Sequence, residues 1–260
     1  MRKALISIIF IRLLFAGELK TPAEFLGYEL GDYFTPHHKV VSYFEYVSNQ
    51  EPNIRTVIYG ETYERRPLMT AIISSELNMN ILEDLRIDNL KRAGILKGKP
   101  SDRKIGIVWL SYNVHGNEAN STEAAMKTLY ALADKNNRST QKWLKNTIVI
   151  LDPCINPDGR DRYANWYNQT RTVPYNTNKI SREHGEPWPG GRANHYLFDL
   201  NRDWAWITQV ESQQRLKEYH KWMPHVHVDF HEQSINNPYY FAPAAEPLHE
   251  KITSFQKKFQ

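Results

Sequence analysis

The sequence predicts an α/β fold built on a mixed, mostly parallel central sheet with helices on both faces. Two observations lead there. Short apolar runs of strand length alternate with longer stretches of helical period. The clearest of these units, residues 105–133, reads as strand, polar turn and helix, and its strand is apolar almost without interruption, as a strand covered on both faces must be.

Taken in order, residues 21–50 are mixed and aromatic-rich, and strands follow near 54–59 and 68–74 with a turn between them. Ile81, Leu82, Leu85 and Leu90 place a helix over 80–93, which Gly94 stops. The strand at 105–110 feeds a helix at 121–133; another strand lies at 147–151 before Pro153. A helix at 209–222 leads into a strand at 225–231, and residues 246–260 are helix-like. Residues 159–196 have no sustained period but many aromatics, Asn, Gly and Pro, and so read as a long functional loop.

At 260 residues the chain suits one large α/β domain. Its 41% hydrophobic and 24% charged residues are globular proportions and exclude disorder. A net charge of +4, with no basic stripe, excludes a nucleic-acid footprint. The single cysteine, Cys154, lies in an apolar run and reads as a buried thiol. At the start, Arg2 and Lys3 precede an apolar stretch over 4–16, interrupted by Arg12 and closed by the small residues Ala16 and Gly17. This reads as a leader over residues 1–17, placing the mature protein in the secreted or periplasmic space. The stretch is too short for a stable membrane span, which needs about 20 residues. Residues 18–42 are then a lead-in segment, and 43–260 form the domain proper.

Chemistry gathers at two strand ends. The turn after 105–110 reads His115, Gly116, Asn117, Glu118, an H-x-x-E pattern in which an imidazole and a carboxylate can aim at one cation while Gly116 relieves the backbone. Alone it is a weak signal, equally compatible with a solvated loop. The strand at 225–231 ends in His231, and ligands of open α/β sheets gather at the carboxyl ends of strands. His115, Glu118 and His231 together form a two-His, one-Glu set that leaves a fourth zinc position open, the composition of a catalytic site. His225 and His227 share the pleat face of His231 and read as packed or hydrogen-bonded positions. Between the two ends lie Asn156-Pro157-Asp158-Gly159 and Asp199-Leu200-Asn201-Arg202.

H-x-x-E, N-P-D-G, D-x-N-R and a strand ending in His, in that order, resemble the zinc carboxypeptidases of the carboxypeptidase A type. The resemblance covers residues 43–260; the 22–38 stretch and the H-E-Q-S tetrad after the strand are similar to large secreted bacterial members. It implies one Zn²⁺ held by His115, Glu118 and His231, and hydrolysis of the C-terminal bond of peptides or proteins by a zinc-activated water. It implies that Asn201 and Arg202 grip the substrate's terminal carboxylate, as an Arg fork with an adjacent amide donor can. Asp199 matches the carboxylate that receives the far N–H of the first zinc histidine. Arg171 corresponds, by its spacing from Asn156, to the arginine that polarises the scissile carbonyl, with Arg160 and Arg162 as competitors. Tyr163, Trp166 and Tyr167 either line a substrate funnel or pack the loop down.

The chain departs from the family pattern in three ways. The general-base Glu lies well downstream of the third ligand in the family; only residues 232–260 follow His231 here, so the base and the last part of the sheet are expected beyond Gln260. Glu232, Glu246 and Glu250 are poor substitutes; Glu232 points to the opposite face if the strand continues. The tyrosine that closes over substrate and the side chain that sets residue preference are likewise expected downstream. Finally, Glu232 stands where the family usually has Ser. The same triad also serves zinc amidohydrolases, such as deacylases and cell-wall peptide-trimming enzymes, and a non-catalytic zinc- and peptide-binding module is the third reading.

Overall fold

The computed structural model describes residues 18–233 and 246–259. The leader read at 1–17 lies outside the described residues, as does Ser234 of the H-E-Q-S tetrad. Helices α1 (Pro22–Leu26) and α2 (His37–Gln50) precede the hairpin β1 (Ile54–Glu61) and β2 (Pro67–Ile73). Then come α3 (Glu76–Asn80), α4 (Leu82–Arg92), β3 (Gly106–Tyr112), α5 (Asn120–Ala133), α6 (Arg138–Leu144) and β4 (Thr147–Asp152). The remainder is α7 (Pro157–Thr170), α8 (Val210–Trp222), β5 (Val226–Phe230) and α9 (Ser254–Phe259).

The five strands form one mixed sheet in the order β1-β2-β4-β3-β5. β3 lies between two parallel neighbours, β4 and β5, whereas β2 runs antiparallel to both β1 and β4. The parallel pairings are thus confined to one half of the sheet, the half that carries the site.

Strand alternation sorts the core into two layers. Met69, Ala71 and Ile73 of β2, with Val149 and Leu151 of β4, face α2 and α5, where Val40, Tyr43, Phe44, Val47, Met126 and Leu129 are buried. Ile72, Ile107, Trp109, Ile148 and Ile150 face the other way, against Leu82 and Leu85 of α4 and Trp222 of α8. Both faces of the central strands are covered, which is why their sequences are nearly continuous apolar runs.

Three expectations change. Residues 159–196 are not one long loop, because α7 occupies 157–170. Its start is legible in retrospect: the Asn156 side chain accepts from the Gly159 amide, and Pro157 stands at the first helical position. The helix lacks an apolar stripe because it buries charge instead, with Asp158, Arg160 and Asp161 all inside. Second, α2 fills much of the stretch read as mixed, and its buried Val40, Phe44 and Val47 do repeat at helical spacing. Third, among the described residues helix in the last stretch covers only 254–259; the helix expected over 80–93 is α4, with the short α3 as a further helix before it.

The segment before β1 is bound to the body. Thr35 donates from its amide and hydroxyl to the two Glu123 carboxylate oxygens at 2.7 and 2.8 Å, and the His37 amide donates to Asp161 at 2.9 Å.

Candidate metal centre

The turn after β3 is held by one buried side chain. Asn113 sits in the left-handed region at φ 58°, and its amide nitrogen donates to the carbonyls of His115 (2.7 Å) and Glu118 (3.0 Å). Its carbonyl oxygen accepts from the Thr122 hydroxyl at 3.1 Å, tying the turn to α5. Gly116 is there because nothing larger fits: a Cβ would lie 2.3 Å from the Arg160 amide nitrogen and 2.4 Å from the Gly191 carbonyl oxygen. The turn, the start of α7 and the loop at 190–192 meet at that point, where the Gly116 amide donates to the Arg192 carbonyl at 3.3 Å.

On this frame the three expected ligands converge. One donor atom each from His115, Glu118 and His231 lies within 4.8 Å of the others. Glu118 spans the two imidazoles, with Oε1 2.8 Å from His115 Nδ1 and Oε2 3.1 Å from His231 Nδ1. Each ring's far nitrogen faces an aspartate: His115 Nε2 lies 3.1 Å from Asp199 Oδ1, and His231 Nε2 lies 3.1 Å from Asp229 Oδ2. Asp199 thus faces the far nitrogen of His115. Asp229 is a second residue of the same kind that sequence reasoning missed, although its place two residues before His231 on one strand face was the available signal.

The charges are strongly perturbed. Burial raises the Glu118 pKa, but bonds from His115, His231 and the Glu232 amide outweigh it and hold the carboxyl at about 2. Bonds to Asp229 and then Glu118 raise His231 to about 10, so with no metal bound it is an imidazolium at neutral pH. Asp199 is lowered: burial acts upward, but the Asn201 amide, His115 and Arg192 prevail.

A cleft of about 370 Å³ opens over the ligands, lined by His115, Glu118, His231, Asn201, Arg202 and Arg192 with their neighbours Glu232 and Gln233. Asn201 and Arg202 reach it because Asp199 caps the short turn they form, accepting from the Asn201 amide at 2.9 Å. The exposed Arg202 guanidinium makes no ion pair among the described residues and donates only to the Asn201 carbonyl.

Arg171 is not brought to this cleft. Its guanidinium lies 3.9 Å from the centre of the Tyr33 ring and donates to the Asp32 carbonyl at 2.6 Å, because α7 carries it out to its C-terminal end. Neither competitor takes its place: Arg160 is buried on Glu123 at 2.6 Å, and Arg162 donates to the carbonyls of Gly190 and Asn194. Besides Arg202, the guanidinium that lines the cleft is that of Arg192, 3.1 Å from Asp199 Oδ2 and 3.7 Å from Glu118 Oε1. Only the flanking Gly190-Gly191 pair hinted at it. Tyr163 and Tyr167 pack on Phe34, at ring separations of 5.4 and 5.0 Å. His227, within β5, bonds Ser111, whereas His225, exposed and just before the strand, accepts from the Ile107 amide through Nδ1.

The donor set suits zinc. Two imidazoles and a carboxylate converge, and the aspartates on the far nitrogens fix ring orientation and leave each Nδ1 free to ligate once its proton is displaced.

Comparison with known proteins gives the family and the fold. A family model described as zinc carboxypeptidase matches residues 40–246. Among solved structures, the chain is similar to a candidate carboxypeptidase from Burkholderia mallei, with 18% identity and a TM-score of 0.55, covering 85% of this chain and 45% of that one. It is also similar to a metallo-carboxypeptidase from Burkholderia cenocepacia (16%, TM-score 0.51, 75% and 40% coverage). A third is the carboxypeptidase A of Helicoverpa armigera (16%, TM-score 0.50, 82% and 48% coverage). The chain spans less than half the length of each. At these identities the structural matches show the fold.

Proposed function

The chain belongs to the zinc carboxypeptidase family, and from that premise we propose that it binds one Zn²⁺ through His115, Glu118 and His231 and serves hydrolysis of the C-terminal peptide bond of peptides or proteins. One observation carries the reading: the ligand triad and the Asn201–Arg202 pair line the same cleft. When bound, the metal lowers the pKa of a water and polarises the scissile carbonyl.

The chain's own residues do the rest. Arg202 and Asn201 take the free carboxylate and so place the last peptide bond over the ligands. Arg192, in place of Arg171, offers its guanidinium to the carbonyl oxygen as charge develops there. Asp199 and Asp229 hold the two imidazoles in one tautomer. The carboxylates around the cleft are engaged with the histidines, Arg192 or the start of α5. The leader read at 1–17 favours action outside the cytoplasm.

Binding tests this without requiring turnover. The zinc-loaded chain should bind a peptide with a free C-terminus about tenfold to 100-fold more tightly than its amide, and Arg202→Ala should abolish the difference. Equal affinities in the unaltered protein would remove the carboxylate-binding role.

A further inference from the structure

Helix α5 begins without a cap of its own. Its N-cap position is Ala119, in a helical conformation, and no side chain there bonds the first amides. The acceptor arrives from the far end of the site. Glu232 Oε1 accepts from the Asn120 amide at 2.8 Å and the Ser121 amide at 3.3 Å, and Oε2 accepts from the Asn120 side-chain amide at 2.9 Å. A carboxylate is well placed there, since the exposed amides of a helix start favour negative charge. The strand alternation that would turn Glu232 away does not apply, because β5 ends at Phe230.

The same residue makes a second link. Its backbone amide donates to Glu118 Oε2 at 3.0 Å. The ladder between β3 and β5 stops at the pair Tyr112 and Phe230, before any ligand on either strand. Beyond that pair, His115 and Glu118 travel with the turn into α5 while His231 leaves on another segment. Glu232 holds the two together from both sides, by side chain to α5 and by main chain to Glu118.

We propose that Glu232 is a positioning residue for the metal, capping α5 from a distance and so fixing the separation between His231 and the His115–Glu118 turn. This rests on the zinc reading above. Glu232→Ala should weaken zinc affinity, measured by chelator competition, about tenfold to 100-fold, the usual cost of losing support behind a ligand. The visible spectrum of the cobalt-substituted variant should change as well. Glu232→Gln keeps an acceptor for both backbone amides and should return affinity to within threefold of the unaltered protein. A purely structural role would lower the unfolding midpoint yet leave zinc affinity and the cobalt spectrum unchanged; that result, or a Gln variant no better than Ala, overturns the proposal. If Glu232→Ala does not fold, Asn120→Ala, which removes one of the three contacts, should weaken zinc about twofold to fivefold, and unchanged affinity there would also overturn it. His115→Ala keeps the two readings apart: retained zinc in that variant refutes the metal site itself, whereas failure of the Glu232 variants alone refutes only the positioning role.

Discussion

Two clusters in this molecule are made from the same side chains and do opposite things. At the centre of the metal site, His115, His231, Glu118, Asp199, Asp229 and Arg192 surround an open cleft. Behind it, at the start of α7, Arg160, Glu123, Asp161, Asp158, Arg66 and His37 form a closed network. The difference lies in where the donor atoms point. In the closed network each carboxylate meets a guanidinium, hydroxyl or amide: Arg66 reaches Asp158 at 2.8 Å and Asp161 at 2.7 Å, and Arg160 is fully buried on Glu123. In the open site one carboxylate is shared by two histidine rings, and their Nδ1 atoms face a common point. Charge content therefore does not mark function; convergence on accessible space does.

The two histidine environments sharpen the contrast. Burial pushes His37 down to about 4, so it is neutral, while Asp229 and Glu118 push His231 up to about 10, so without metal it is charged.

The largest expected effect breaks the open cluster alone. His231→Ala should weaken zinc binding by at least about 1,000-fold in chelator competition, because structural and catalytic zinc sites draw their affinity from each ligand. The unfolding midpoint of the metal-free protein should fall only modestly, since the imidazolium that pairs with Glu118 and Asp229 is lost from a site that water reaches. Arg160→Ala should do the reverse. Leaving Glu123 buried without its partner costs about 3–5 kcal/mol in denaturant unfolding, with zinc affinity of the folded fraction unchanged. If Arg160→Ala abolished zinc binding while remaining folded, the division into two clusters would be wrong.

A smaller effect separates the two arginines. Arg192→Ala should weaken a phosphonate peptide analogue, whose tetrahedral anion imitates the developing oxyanion, about 100-fold. Arg171→Ala should change it less than about threefold, because that side chain is spent on Tyr33 and Asp32. The reverse ranking would restore the assignment made from spacing.

The smallest effects are in pH. His37, lower in the folded state than unfolded, contributes stability that is complete above about 6.5 and lost as pH falls toward about 4. His231, raised in the metal-free fold, contributes stability that is complete below about 6.5 and lost as pH rises through about 10. Denaturant midpoints of the metal-free protein should decline at both ends, and zinc should flatten only the alkaline limb. His37→Gln should soften only the acid limb.

These contrasts also explain what was legible in the sequence. Strands covered on both faces are apolar runs, so β2, β3 and β4 announce themselves. The candidate ligands were readable because H-x-x-E is local and His231 directly follows a strand. The helix α7 was hidden because it buries Asp158, Arg160 and Asp161, reversing the pattern that reveals helices. Arg192 and Glu232 were hidden for another reason: each acts on a residue far away in the chain, and neither spacing nor period encodes such a meeting. Spacing from Asn156 pointed to Arg171, but a 14-residue helix consumes that distance and carries the side chain away from the cleft.

The most direct measurement is diffraction from zinc-soaked crystals at the zinc absorption edge. One anomalous peak is expected at about 2.0–2.1 Å from Nδ1 of both His115 and His231 and about 2.0–2.2 Å from a Glu118 oxygen. A peak elsewhere, or a chain that binds no zinc while these three side chains remain in place, would contradict the zinc assignment.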